Sequence, residues 1–423
     1  MTDNDTTQDN VMTTQPMPRP QPLGVLDGTA GLLLVPAGDG TAELLTAMAE
    51  LGRPDDWGAA GAVLTATEHD DIDAALAMLG DGVDDVINRL VLLPTPEHLE
   101  AAWAAAADDP LRTAVVAAAA YVSNLSDDPP SAEGLDGEFA VLAHTVRAAR
   151  AMEFSDAPGA LRILIEAAEV AESVGPALHG RLLGMVAEHR FRTQQAVEAS
   201  LEWYDRAIDV LAATNLDDLR AGLQLERGIA LHQMADVQPH RLMPAVRSYQ
   251  SALIHITEEA DPERFAIANM HIGIAYLAMP MADASDQVRL GVAVQSLRAA
   301  LRVFDPATHP WEWSSSKMNL ANALQYLPST HREDNLAEAV DMYGDVLRYR
   351  SKASDPAGYG RVLANQANAL AHLGRFDAAV EAYVEAKALF DIAGEPEIIE
   401  VIDAQLGEID TARGTTTPEG ASS

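Results

Sequence analysis

Cysteine is absent from this 423-residue chain, which excludes disulfide frameworks, thiolate metal sites and cysteine nucleophiles. Cations are scarce: 28 Lys and Arg stand against 64 Asp and Glu, a formal charge of −36. A chain of that sign repels phosphate backbones and anionic lipid surfaces, so neither nucleic acid nor a membrane is expected as partner. Long apolar runs are missing too. The stretches 101–107 and 115–121 are short and Ala-rich, well under the roughly 20 residues that a membrane span requires. Residues 1–15 carry Asp and Thr where a secretory signal would carry a basic stretch and then an apolar one; a cytoplasmic location is the expectation.

Sequence motifs for chemistry are equally sparse. Twelve histidines are present, yet none falls in an H-E-x-x-H pattern, and His271, His331 and His372 lie far apart in the chain. The ordinary role of such histidines is packing or solvation, and no metal is assigned. The glycines of 24–31 and 36–40 are followed by no G-K-[ST] signature, and no G-x-S-x-G elbow occurs. Ser314, Ser315 and Ser316 read as helix-start residues. With no convergent nucleophile, base or metal set, the chain is expected to be non-catalytic and to carry no cofactor.

What the chain does contain is apolar bulk, 48% hydrophobic residues, ample for one elongated or two compact folded units. Residues 1–22, with Pro16, Pro18, Pro20 and Pro22, read as a disordered proline-containing tail. An N-terminal helical region follows over 23–137, with helices predicted at 41–51, 72–79, 83–92, 96–107 and 111–124 from apolar residues three or four apart. Leu32 to Val35 could form one short strand. Residues 126–137, holding Pro129, Pro130 and Gly134, read as a linker. Beyond it one unit recurs over 138–394, followed by a C-terminal capping helix at 395–412 and a disordered tail at 413–423.

The recurrence is explicit. Three segments, 265–277, 313–325 and 359–371, each start on an aromatic residue (Phe265, Trp313, Tyr359). Each has a small residue at the ninth place (Gly273, Ala321, Ala367) and an alanine two places later. Between them lies a second pattern, small-x-x-x-large-x-x-small. Its members include Ser200, Tyr204 and Ala207; Ala245, Tyr249 and Ala252; Ala339, Tyr343 and Val346; and Ala379, Tyr383 and Ala386. Ala160 with Leu164, and Ala293 with Leu297, fit the same frame. The pattern returns roughly every 40–48 residues, a period that indicates stacked helix pairs. Residues four and seven apart share a helical face, and alternating small with large side chains lets neighbouring helices approach. Asp261-Pro262, Asp305-Pro306 and Asp355-Pro356 supply a capping carboxylate and a proline before each aromatic-led helix.

These residues resemble the tetratricopeptide repeat family. The unit from Tyr359 to Phe390 matches best: Ala367 takes the small position, Leu370 the large apolar one, and Ala379, Tyr383 and Ala386 follow in phase. The resemblance covers about 139–390 and implies an all-α fold, a right-handed superhelix of antiparallel helix pairs preceded by a smaller Ala-rich helical region. Extra residues at 280–289 and 328–335 predict longer loops between the two helices of a pair.

Asn319 and Asn322 recur as Asn365 and Asn368 at the same offsets from Trp313 and Tyr359, while His271 and Ile274 stand at those places in the preceding repeat. In peptide-binding members of the family, similarly placed asparagines hydrogen-bond a ligand main chain, since an amide both donates and accepts. The resemblance therefore implies a peptide-holding groove at Asn319, Asn322, Asn365 and Asn368, with Arg361 beside them. Lys317 and Arg361 do not stand where some relatives clamp a terminal carboxylate, so that clamp is not implied. Acidic clusters at Glu258, Glu259, Asp261 and Glu263, and at Glu333 and Asp334, would attract a basic segment. The expected function is a scaffold or adaptor holding a protein or peptide segment, with assembly or maturation of a larger complex as its setting. The alternative is a ligand- or peptide-responsive regulator with the N-terminal helical region as sensor.

Overall fold

A computed structural model describes residues 23–193, 197–280 and 286–416. The tail expected at 1–22 and the last residues, 417–423, lie outside the described residues. Among those described, the regular structure is entirely helical. Two compact units divide at Leu223 and Gln224.

The first unit opens with an irregular segment containing a 3-10 turn at Gly28–Leu32, then α1 (Thr41–Leu51), α2 (Ala62–Glu68), α3 (Ile72–Ala77), α4 (Val83–Leu92), α5 (Pro96–Ala106) and α6 (Pro110–Val122). All five helices expected in this region are present, and α2 is additional. Local chemistry sets their starts: Asp71 caps α3 through the Ala74 amide at 3.0 Å, and Thr95 caps α5 through the His98 amide at 3.2 Å. The longer helices α7 (Gly137–Glu153), α8 (Ala157–Glu172), α9 (Pro176–Arg192) and α10 (Val197–Leu211) pack in sequence order. The region before Gly137 does not stand alone. It shares one core with α7, in which Leu45, Ile87, Leu90, Val115 and Phe139 are fully buried. Asn215, just past α10, ties back to α1 by donating its backbone N–H to the Leu51 carbonyl at 2.7 Å.

The strand considered at Leu32–Val35 does not form. Leu34 donates its N–H to Asn88 Oδ1 at 2.8 Å and accepts from Asn88 Nδ2 at 2.7 Å. One buried side-chain amide of α4 thus does for this extended segment what a neighbouring strand would otherwise do, satisfying both main-chain groups in an apolar core.

Helix α11 (Asp217–Met234) runs through the division between the units. The second unit continues with α12 (Leu242–Ala252), α13 (Pro262–Ala278), α14 (Asp286–Ala300), α15 (Pro310–Tyr326), α16 (Arg332–Tyr349), α17 (Pro356–His372), α18 (Phe376–Ala393) and α19 (Pro396–Thr416). The last of these runs past the end expected at residue 412. Asp261 and Asp355 cap α13 and α17, accepting from the amides of Arg264 and Gly358 at 3.1 and 2.8 Å. Asp305 departs from this pattern. Its carboxylate closes a turn on the amides of Ala307 and Thr308, and α15 begins only at Pro310. The residues from Arg332 onward, expected in a loop, are helical as well, so half of the insertion in this repeat extends α16.

The small-large-small pattern of the second helices is core throughout. Tyr204, Tyr249, Tyr343, Leu297 and their flanking alanines are fully buried, and Tyr383 is nearly so. Across from this seam, the small ninth position of the first helices is a steric requirement. A Cβ on Gly273 would lie 2.5 Å from Leu297 Cγ, so α13 and α14 approach too closely for a larger residue there.

Two stability measurements check these packing statements. Asn88→Leu keeps the bulk but strands both main-chain groups of Leu34, and is expected to cost about 2–5 kcal/mol in chemical denaturation of the full chain. Gly273→Val overpacks the α13–α14 contact and is expected to cost at least about 1–3 kcal/mol by the same measurement.

Candidate functional site: an amide-lined recess

Helices α13, α15 and α17, the first members of successive pairs, neighbour one another in the second unit. Because each reads in the same register from its aromatic residue, equivalent positions come to one face. That face carries a recess of about 430 Å³. Helix α13 supplies an apolar wall of Ile274, Leu277 and Ala278; α15 supplies Asn319, Asn322, Gln325 and Tyr326; α17 supplies Asn365 and Asn368. All four asparagines singled out in the sequence therefore meet in one place. Arg361 does not line it. It is exposed and donates to Glu395 Oε1 at 3.0 Å.

The asparagines are not equivalent. Asn322 Oδ1 accepts from the Tyr343 hydroxyl at 2.5 Å and from Asn365 Nδ2 at 3.0 Å. Asn319 Nδ2 donates to the Ser315 carbonyl of its own helix at 2.9 Å. The Asn368 side chain makes no hydrogen bond among the described residues, although it is half-buried. Asn322 is thus a keystone of the packing, and Asn368 faces the recess uncommitted.

Gln325 was not singled out in the sequence, and it is the most constrained polar group here. The residue is 5% exposed, and Nε2 donates to the Tyr343 hydroxyl at 2.6 Å. Burial pushes the Tyr343 hydroxyl far above its ordinary range, so it stays protonated as a donor. Its hydrogen goes to Asn322 and its oxygen accepts from Gln325 Nε2. Gln325 Oε1 is left buried with no hydrogen-bond partner. A carbonyl in that state costs about 1–3 kcal/mol relative to a paired one. The available sequence signal was a polar residue at a place held by Leu277 and Ala371 in the neighbouring repeats.

His271 occupies the position of Asn319 and Asn365 but takes another course. It stacks on Tyr249 at 5.5 Å with an interplanar angle of 14°, and meets His232 edge-on at 5.5 Å. Burial, with the nearby His232 as a smaller contribution, lowers its pKa from 6.5 to about 4. Three of the six residues in the acidic clusters have structural partners. Glu258 accepts from Arg302 at 2.6 Å, Asp261 caps α13, and Asp334 lies 3.5 Å from His331. Lys317 is ion-paired with Asp345 and sits 4.8 Å over the Trp313 ring.

No family model matches the chain, and no curated protein matches it. Among solved structures, it is similar to the apo form of RapI, with 12% identity, a TM-score of 0.45, and coverage of 84% of this chain and 97% of that one. It is also similar to a signal transduction ATPase with numerous domains that carries a tetratricopeptide repeat sensor, from Pyrococcus horikoshii. There the identity is 12% and the TM-score 0.42, with coverage of 88% of this chain and 63% of that one. Both likenesses are distant. Among those described, no helix is long and apolar enough to cross a membrane.

Acidification tests the buried histidine. The unfolded chain takes up a proton on His271 near its ordinary pKa, whereas the folded chain resists protonation down to about 4. Stability from this residue is therefore complete above pH 6.5 and is lost progressively as pH falls toward 4. His271→Phe is expected to remove about 2–3 kcal/mol of that loss, read as a flatter dependence of the urea midpoint on pH.

Proposed function

We propose that the second unit is a non-catalytic scaffold whose amide-lined recess holds an extended or helical segment of a protein partner. The observation that carries this reading is the recess itself, where four asparagines of two successive first helices meet beside an apolar wall and the half-buried Asn368 side chain makes no hydrogen bond among the described residues. A ligand main-chain N–H or carbonyl would pair with the Asn368 amide. Peptide main chain offers alternating donors and acceptors, and asparagine side chains match both. The apolar wall of Ile274 and Leu277 would take a partner's aliphatic side chain. Arg361 belongs to this partner-binding set only where its pairing with Glu395 opens. The formal charge of −36 favours a partner segment of basic character through faster encounter. Assembly or maturation of a larger complex is the setting that fits a holder without chemistry of its own.

A second reading, a ligand-responsive regulator with the N-terminal helical region as sensor, is favoured by one observation, an apolar cavity in the first unit.

Asn368 is the residue with which to test the recess, because Asn322→Ala would also deprive Tyr343 and Asn365 of their acceptor. Peptides selected from a random displayed library by the intact protein are expected to bind Asn368→Ala at least about tenfold more weakly, a loss of about 1.4 kcal/mol. The circular dichroism spectrum should not change. Equal binding by the variant would sink the reading.

A further inference from the structure

The first unit holds a cavity of about 300 Å³, at the low end of the range that accommodates small organic ligands. It lies between the irregular segment around the Gly28–Leu32 turn, α6, α7 and α9. Leu26, Leu142, Val146, Leu178, Leu182 and Met185 form much of its wall. Among its lining residues a single one is charged, Arg181 of α9.

Arg181 is poorly served for a charge so far from water. Its side chain is 19% exposed, and its recorded ion-pair partner, Asp27, is 77% exposed at the start of the 3-10 turn. A pair with one member in solvent contributes little. Burial also lowers the Arg181 pKa, with Glu188 opposing the shift to a smaller extent. A carboxylate arriving from the cavity side would meet the guanidinium in a drier environment and could engage two of its N–H groups side by side.

The rest of the lining narrows the ligand's other end. The wall is aliphatic, with no aromatic ring to stack on a planar group, and Met185 adapts to chains of differing shape. Two of the polar groups nearby are already committed, while the hydroxyls of Thr29 and Ser123 also line the cavity. Thr145 Oγ1 donates to the Val141 carbonyl at 2.8 Å, and the Gly24 N–H closes its own loop on the Gly31 carbonyl at 2.8 Å. No row of amides like that of the second unit faces this cavity, so a peptide main chain would find few partners.

We infer that this cavity binds a small aliphatic monocarboxylate, with its chain among the leucine and valine side chains and its carboxylate on Arg181 in place of Asp27. The inference does not rest on the protein-partner reading. Calorimetric titration of the full chain with octanoate, octanol and octylammonium tests it. Octanoate is expected to bind at least tenfold more tightly than octanol, and octylammonium not to bind measurably. Arg181→Gln should abolish the advantage of the acid over the alcohol. Asp27→Asn, an exposed change that leaves the fold intact, should tighten octanoate binding severalfold by removing the competing carboxylate. The inference is overturned if acid and alcohol bind the wild-type chain equally, if octanoate does not bind at all, or if Asp27→Asn leaves octanoate affinity unchanged. The last two comparisons decide the matter even if Arg181→Gln fails to fold.

Discussion

The close approach of paired helices across a small-large-small seam is the constraint on which the rest of the second unit depends. Ala339, Tyr343 and Val346, like Ala245, Tyr249 and Ala252 before them, are wholly buried. An aromatic ring fills the space that two small residues leave open, and the dense contact follows from interdigitation at native packing density. Gly273 against Leu297 shows how little room remains. Each ring also carries a polar tip into the core. Tyr343 answers this with Gln325 and Asn322, and Tyr249 lies 3.4 Å from His232. A position that packs one helix pair thereby dictates what the neighbouring recess can offer.

That dependence separates the two roles of the asparagines. In this arrangement the Tyr343 hydroxyl donates to Asn322 and accepts from Gln325, and Gln325 Oε1 is left unpaired. Buried polar groups in folded proteins are nearly always paired, and Gln325 Oε1 is one of several among the described residues that are not. Asn322 is committed to the core, whereas Asn368 lines the recess.

The first unit uses the same economy of polar groups in a different form. Asn88 replaces a whole strand partner for Leu34, and Asp84 holds Arg112 at 2.7 Å beneath the start of α6. Arg181 is the contrasting case, a largely buried cation whose partner faces water. The excess of acidic residues, which dominates the composition, is spent mostly at surfaces, helix caps and ion pairs.

Helix existence and pairing were legible in the residue pattern because a seam repeated every 40–48 residues is local information: it needs only the 3.6-residue helical period. The caps at Asp261 and Asp355 were legible for the same reason. Asp305 misled because a turn and a helix start use the same Asp-Pro chemistry, and only the surrounding packing chooses between them. The four asparagines could be named from their common offsets, yet their division into structural and free groups could not, since it hangs on Tyr343 reaching across from another helix. Gln325 looked like any residue of a helix end. The sequence by itself determined an all-helical repeat, its register and the candidate face, all consequences of spacing along one chain. Tertiary structure decided which amides are already satisfied, that residues before Gly137 share a core with α7, and where an arginine meets an apolar cavity, because each of these depends on side chains brought together from distant positions.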